Sequence, residues 1–294
     1  MQSSRRSTRD PIHGFRDCAV DRRDERSASV VGRHARLELA FAYRRGRTIL
    51  AEAYAEPPFR VGRCFPEGEG LHMILASSAP GVFGRDCLQQ IIRVERGARV
   101  RLTSQSALQV HPAPDETSAQ LLSAYQIDDE ARLHCQWDPL IPFAGARIDQ
   151  QIDIRIAGSG YLYWSDALMG GRQARNERWK FASLAHELAV SRGGSLEYLE
   201  RYRIEPDERD VCRSWLAGDA AYLGTTLATG RELEPGAAER LHAELGAIAG
   251  VRAAADLIDR RLLLVRLMGM SGPRFHEARV LVMASLAGLF PPVT

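Results

Sequence analysis

Closely spaced cysteines are absent from this 294-residue sequence. Its five cysteines are Cys18, Cys64, Cys87, Cys135 and Cys212, and no two of them form a CxxC pair. Their odd number and wide spacing argue against a disulfide framework and against a structural zinc site. We therefore expect reduced thiols in a cytoplasmic protein.

Long apolar runs and a strong net charge are also missing. No stretch approaches the roughly 18 apolar residues that a membrane-spanning helix needs. The formal net charge is only +2, so composition gives no reason to expect nucleic acid or an anionic membrane as a partner. Hydrophobic residues make up 45% of the chain, which is enough to build a globular core.

The common catalytic signatures are absent as well. Lys180, the only lysine, lies between Trp179 and Phe181 rather than in a glycine-rich phosphate-binding loop. The sequence has no GxSxG nucleophile motif, and its eight histidines form no HExxH or HxH motif. These absences favour a binding or scaffold role over an enzyme, and they predict no stable metal site.

Three regions differ in pattern. Residues 1–33 are polar, charged and aperiodic, which is typical of a disordered leader. Residues 34–204 carry short alternating or apolar runs separated by glycine turns, which predicts a β-rich body. Period-two patterning does not choose between a helically wound body and a sandwich. The runs are residues 36–43, 71–75, 90–95, 121–127, 151–156, 161–164 and 196–203.

Residues 205–294 predict an α/β segment that packs on the β body. Residues 235–249 have Leu241, Leu245 and Ile248 on one helical face, and Gly250 follows as a stop signal. Residues 261–267 are typical of a buried strand. Residues 273–289 predict a second helix with an apolar stripe of Val280, Met283, Ala287 and, just beyond, Phe290. Core packing is the first interpretation of that stripe, and partner contact is the second.

Five stretches, in this order, resemble the UreD (UreH) family of urease accessory proteins. The resemblance covers roughly residues 34–290. The fifth stretch is followed, at the family's spacing, by Glu177 and by the Glu200–Arg201 pair. The five stretches are PFRVGRCFP at 58–66, PGVFGRDCL at 80–88, GARVRLTSQSA at 97–107, WDPLIPFAGAR at 137–147 and WSDALMGGR at 164–172.

The resemblance implies a mainly β fold of helically wound strands with a packed C-terminal α/β segment. It implies a non-catalytic scaffold that bridges UreF, and UreG through UreF, to the urease apoprotein. Nickel would pass through the interior transiently, without a stably bound cofactor. Carboxylates and water suit such transport because they bind nickel more labilely than thiolates or clustered imidazoles do.

The family match assigns four acids to the nickel passage: Asp86, Asp166, Glu200 and Glu177. Each has a structural alternative, since Asp86 and Asp166 could cap turns, Glu177 could be solvated and Glu200 could pair with a neighbouring arginine. Asp86 is expected to be the acid least engaged in a structural ion pair.

The sequence departs from the family pattern after the third stretch. Leu108 and Gln109 stand where the family has a threonine and a lysine, and His111 stands at a tyrosine position. Two other function classes stay open at this point. One is a β-solenoid carbohydrate hydrolase that uses paired carboxylates, and the other is a purely structural interaction domain.

Overall fold

The computed structural model describes residues 32–113, 115–214, 216–230, 234, 236–258 and 260–286. The helices over this range are α1 Ala237–Gly246 and α2 Gly272–Ser285, with a 3-10 turn at Gln173–Arg175. The strands, numbered in chain order, are β1 His34–Arg44, β2 Arg47–Ala55, β3 Phe59–Glu67, β4 Gly70–Ser77, β5 Cys87–Val94, β6 Arg99–Ser104, β7 Leu108–Val110, β8 Ala119–Ile127, β9 Arg132–Gln136, β10 Leu140–Pro142, β11 Arg147–Ile156, β12 Tyr161–Met169, β13 Ser183–Arg192, β14 Ser195–Ile204, β15 Tyr222–Thr229, β16 Val251–Ile258 and β17 Leu262–Gly269.

The strands form two facing sheets. The first sheet has the order β14-β13-β11-β8-β5-β1-β2, and the second has the order β16-β17-β15-β12-β9-β6-β4-β3. From β4 to β13 the long strands alternate between the two sheets, and successive long strands within each sheet pair in parallel. Short strands β7 and β10 pair in parallel with each other, and β10 joins the second sheet by pairing with β12. This winding is β-solenoid-like, and the prediction of a mainly β fold is confirmed.

Alternation along each strand builds the core between the sheets. In β11 the side chains of Ile148, Ile152 and Ile154 are buried, while the residues between them are more exposed. Successive strand residues point to opposite faces of a sheet, so each such strand contributes one apolar row to the interior. Fully buried Phe41 and Leu133 belong to the same cluster.

The C-terminal segment continues the second sheet. Strand β15 pairs antiparallel with β12, and β17 pairs with β15. Helices α1 and α2 cover the outer face of these strands, where Leu241 and Phe275 pack in one cluster with Tyr163 of β12. Gly224 and Gly269 make room for the Phe275 side chain, because a Cβ at either position would lie 2.7 Å from one of its atoms.

The first predicted helix lies within its expected range, and its three apolar positions are buried. In the second helix the buried stripe consists of Phe275, Ala278, Arg279 and Val282. The stripe of Val280 and Met283 is therefore rotated away from the core: Val280 is exposed and Met283 is half-buried. This helix carries more than one apolar stripe. The sheet surface against which the helix packs, and not sequence periodicity, decides which stripe faces inward.

Two other expectations need comment. Cys87 is disulfide-bonded, whereas Cys64, Cys135 and Cys212 carry free thiols. The expectation of five reduced thiols is wrong at Cys87, because spacing along the sequence does not decide which cysteines meet in the fold.

Of the predicted leader, Gly32 and Arg33 are described and residues 1–31 lie outside the described range. Within that range, the helices are too short or too polar to cross a membrane.

We predict that Leu133→Ala lowers the free energy of unfolding by about 2–5 kcal/mol, because it leaves a cavity in the core between the sheets. Urea denaturation would measure the change. The matched control is Leu199→Ala on β14, where the side chain is 47% exposed, with an expected change within about 0.5 kcal/mol. Equal losses for the two variants would contradict the assignment of the core.

Candidate functional site

A cavity of about 770 Å³ lies between the two sheets. Strands β5, β8, β11, β13 and β14 of the first sheet line one side, and β12, β15 and β17 of the second sheet line the other. Asp166 and Glu200 both border it, so two of the four predicted acids come together. Much of the remaining wall is apolar or aromatic, with Trp137, Trp164 and Tyr125 among the lining residues.

Strand register places the polar groups of the cavity in two rows. In the second sheet Asp166 pairs with Thr225, and Thr225 pairs with Arg266. In the first sheet Gln150 pairs with His186, and His186 pairs with Tyr202. Directly opposed residues on neighbouring strands point to the same face, so each row presents its side chains together to the interior.

Glu200 is held by a ring of polar side chains. Its Oε1 lies 2.5 Å from Arg266 Nη1, and Tyr198 OH donates to its Oε2 at 3.0 Å. Arg266 also donates to Thr225 Oγ1 at 2.8 Å and to the Tyr198 hydroxyl at 2.7 Å. The Glu200 carboxylate is 6% exposed, and the ion pair with Arg266 compensates its burial.

Asp166 has a different environment. Trp164 Nε1 donates to its Oδ2 at 3.0 Å, and within the described part of the chain no arginine forms a salt bridge with it. Burial raises the pKa of the Asp166 carboxyl, with a further rise from the Glu200 charge, while His186, Trp164 and Arg279 lower it. Asp166 is therefore the acid of the cavity whose ionised form is least compensated, and a cation nearby would stabilise that form.

His186 and Tyr202 complete the first-sheet side of this region. His186 Nδ1 lies 3.0 Å from Gln150 Oε1, and the imidazole stacks on the Tyr202 ring at a centroid distance of 4.8 Å. Burial and the two nearby carboxylates raise the pKa of Tyr202. Tyr202 is thus a neutral wall residue at physiological pH.

Asp86 lies outside the cavity lining. Its side chain is completely buried, and its carboxylate accepts from the backbone N–H groups of Gly32, Arg33 and Phe83 at 2.9–3.2 Å. Arg33 adds an ion pair at 2.6 Å. This geometry is that of a structural anchor, which joins the segment before β1 to the turn before β5. It differs from the expectation that Asp86 is the acid least engaged in a structural pair, because the partner comes from the predicted leader.

Glu177 also lies away from the cavity. Arg172 donates to both of its carboxylate oxygens, at 2.7 and 2.5 Å, and these bonds lower the pKa of Glu177. The Arg172 guanidinium lies 3.8 Å above the Phe143 ring. Of the predicted partner-contact residues, Ala287 and Phe290 lie outside the described range.

Sequence reasoning missed Tyr198, His186, Arg266 and Arg279. A signal existed for Tyr198, because Tyr198, Glu200 and Tyr202 alternate along β14 and so share one face. A signal also existed for Arg266, since a lone charge in the apolar run of β17 needs a buried partner. No sequence signal pointed to Arg279. This residue is 5% exposed and donates to the Trp137 and Ser165 backbone carbonyls behind Asp166.

The arrangement suits transient cation contact better than a fixed metal site or hydrolysis. Among the described residues, no group of three or more His, Cys, Asp or Glu side chains could hold a metal ion. Carboxylate and hydroxyl oxygens are labile ligands for a borderline divalent metal. The hydrolase alternative would use Asp86, Asp166 and Glu200 as its carboxylates, and these three are not brought together because Asp86 is not part of the cavity wall.

We predict that Asp86→Ala lowers the free energy of unfolding by about 3–5 kcal/mol, because it leaves the Arg33 charge and three backbone donors without their acceptor. Asp153→Ala is the control: it removes a partly exposed ion pair with Arg155 and should cost at most about 1 kcal/mol. Thermal and urea denaturation would measure both. An unchanged midpoint for Asp86→Ala would favour a role towards a cation over a structural one.

Comparisons with known proteins agree with these observations. A family model described as "UreD urease accessory protein" matches residues 33–291. A urease accessory protein UreD of Sorangium cellulosum is 37% identical over 58% of this chain and 54% of its own length. Those of Thermosynechococcus vestitus and Lysinibacillus sphaericus are 32% and 28% identical, over 70% and 66% of this chain and 75% and 74% of theirs. The aligned part thus spans about half of the first relative and three quarters of the others. Because the family model spans most of the sequence, this chain belongs to the UreD family of urease accessory proteins.

Proposed function

We propose that this protein is a non-catalytic scaffold of urease maturation that acts in the cytoplasm. It bridges UreF, and UreG through UreF, to the urease apoprotein, and nickel passes through the cavity between its two sheets. The observation that carries the nickel role is Asp166: a carboxyl that borders the cavity, accepts one hydrogen bond from Trp164 and has no paired arginine.

The electrostatics of the cavity support passage of a cation. An ionised carboxylate away from bulk water costs folding free energy unless it is compensated, and burial does raise the pKa of Asp166. A divalent cation entering the cavity offsets that cost and displaces the proton. A group that is retained at a cost to the fold is a marker of a functional site.

The departure from the family pattern falls on the cavity wall. Leu108 and Gln109 both line the cavity, so this chain has an apolar side chain and an amide where the family has a hydroxyl and a cation. The wall here is less polar, and Asp138, Asp166 and Glu200 supply its carboxylates. Asp86 and Glu177 remain predicted passage residues from the resemblance, but their contacts give them no part in this route.

The outer face of α2 supports a docking role for the C-terminal segment. Val280 is 38% exposed on that face and Met283 is half-buried beside the helix core. Arg279 of the same helix binds the backbone of β12 next to Asp166. A partner helix that packs on α2 would therefore contact the element that supports the cavity wall.

We predict that Asp166→Asn slows nickel-dependent urease activation roughly tenfold, equivalent to about 1.4 kcal/mol, and leaves co-purification with UreF, UreG and apo-urease intact. Asparagine keeps an oxygen acceptor for Trp164 and removes the charge. Asp153→Asn, on a residue that does not line the cavity, should activate like wild type. Unchanged activation by Asp166→Asn would refute the passage.

The pH dependence of stability gives a second test of Asp166. Its folded-state pKa is raised, so the unfolded carboxyl ionises first as pH rises, and this costs stability at neutral pH. Below the ordinary carboxyl pKa both states are protonated and the cost disappears. The stability of Asp166→Asn relative to wild type should therefore grow from acid towards neutral pH in urea melts. A difference independent of pH would contradict the uncompensated burial of Asp166.

We predict that Val280→Arg lowers retention of UreF in co-purification about tenfold, because a charge on an apolar docking face must be desolvated, at a cost of about 1.4 kcal/mol or more. Leu199→Arg is the matched control, since Leu199 is an exposed apolar residue on β14, far from α2 in the sheet order. Equal retention of UreF by both variants would remove α2 from the interface.

A further inference from the structure

Arg266 contacts three oxygen-bearing side chains: Glu200 and Thr225 line the cavity, and Tyr198 is hydrogen-bonded to Glu200. Its guanidinium donates to a Glu200 carboxylate oxygen, to the Thr225 hydroxyl and to the Tyr198 hydroxyl, all within 2.8 Å. These three acceptors come from β14 of the first sheet and β15 of the second, and Arg266 comes from β17. One cation therefore holds oxygen donors from both walls around itself.

The same oxygens are a suitable donor set for a metal cation. A carboxylate and two hydroxyls are hard or borderline oxygen ligands, and such ligands exchange readily on divalent metals. The carboxyl of Asp166 is in the same cross-strand row as Thr225 and Arg266. With the guanidinium in place, however, the Glu200 charge is already neutralised and its Oε1 is occupied.

Because like charges repel, Arg266 and a divalent ion are alternative occupants of these oxygen atoms. A divalent ion beside Arg266 would face a like charge at short range and would be repelled by it. A divalent ion that replaces Arg266 would instead gain Glu200 as a ligand. The Arg266 side chain is 42% exposed and borders the cavity, so its guanidinium can move into the open space while β17 keeps its backbone pairing.

We propose that Arg266 is a displaceable internal cation, and that Glu200, Tyr198 and Thr225 form an oxygen-donor station that a divalent cation occupies when Arg266 withdraws. The inference rests on the proposed function for the identity of the cation, nickel(II). With Arg266 paired to Glu200 the station is closed, while Asp166 also borders the cavity. Arg266 thus limits how tightly the cavity holds its cargo, which a passage requires.

Nickel(II) binding to the full chain, fused to a soluble carrier protein, tests this inference by isothermal titration. Arg266→Gln frees Glu200 and should tighten nickel binding about tenfold. Arg266→Lys keeps a cation beside Glu200 and should stay within about threefold of wild type. The double variant Arg266→Gln with Glu200→Gln should lose the gain, because the freed carboxylate is its source. Arg201→Gln is the control: Arg201 is on the same strand, pairs with Glu187 and does not line the cavity, so nickel affinity should not change.

Two results would overturn the proposal: nickel affinity of Arg266→Gln at or below wild type, or a gain that persists in the double variant. If circular dichroism shows that Arg266→Gln does not fold, Glu200→Gln alone decides the question. That variant leaves an uncompensated Arg266 in the cavity and should bind nickel more weakly than wild type, and unchanged or tighter binding would overturn the proposal. Failure of the proposed function is read separately, from urease activation by Asp166→Asn.

Discussion

Glu200 and Arg266 belong to different sheets, and the ion pair between them spans the space that the two sheets enclose. A wound β body packs apolar side chains between its sheets, so any charge left there must find a partner or be neutralised by gaining or losing a proton. Here Arg266 is the partner of Glu200, and Tyr198 and Thr225 satisfy the remaining hydrogen-bond donors and acceptors. This local solution lets a large, partly polar cavity persist inside an otherwise apolar interior.

A buried ion pair is weak support for stability, because desolvation of both charges offsets most of their attraction. Well-packed apolar residues would hold the sheets together at least as well. The polar rows from Asp166 to Arg266 and from Gln150 to Tyr202 therefore point to chemistry in the cavity. Under the proposed function, the group that this lining contacts is a cation in passage.

The acidic residues of this protein differ in role because their hydrogen-bond and ion-pair partners differ. Asp86 is saturated by backbone donors and Arg33, and it fixes a turn. Asp166 accepts one bond and borders open space, so its charge remains available to a ligand. Strand β12 also connects two parts of the molecule: Asp166 faces the cavity, while Ser165 faces α2 and binds Arg279. The proposed docking helix and the cavity thus share one strand.

The sequence by itself determined the β-rich body, the C-terminal helix α1, the strand β17 and the family. These features follow from local periodicity and from motifs in a fixed order, which need no knowledge of distant contacts. The family match also selected Asp166 and Glu200, and the structure places both at one cavity. Tertiary structure alone decided that Asp86 is an anchor for Arg33, that the buried face of α2 is the one with Phe275 and Arg279, and that Arg266 closes on Glu200. Each of these depends on a partner 40 or more residues away in the chain or on the surface that a helix packs against, and local patterning contains no information about either.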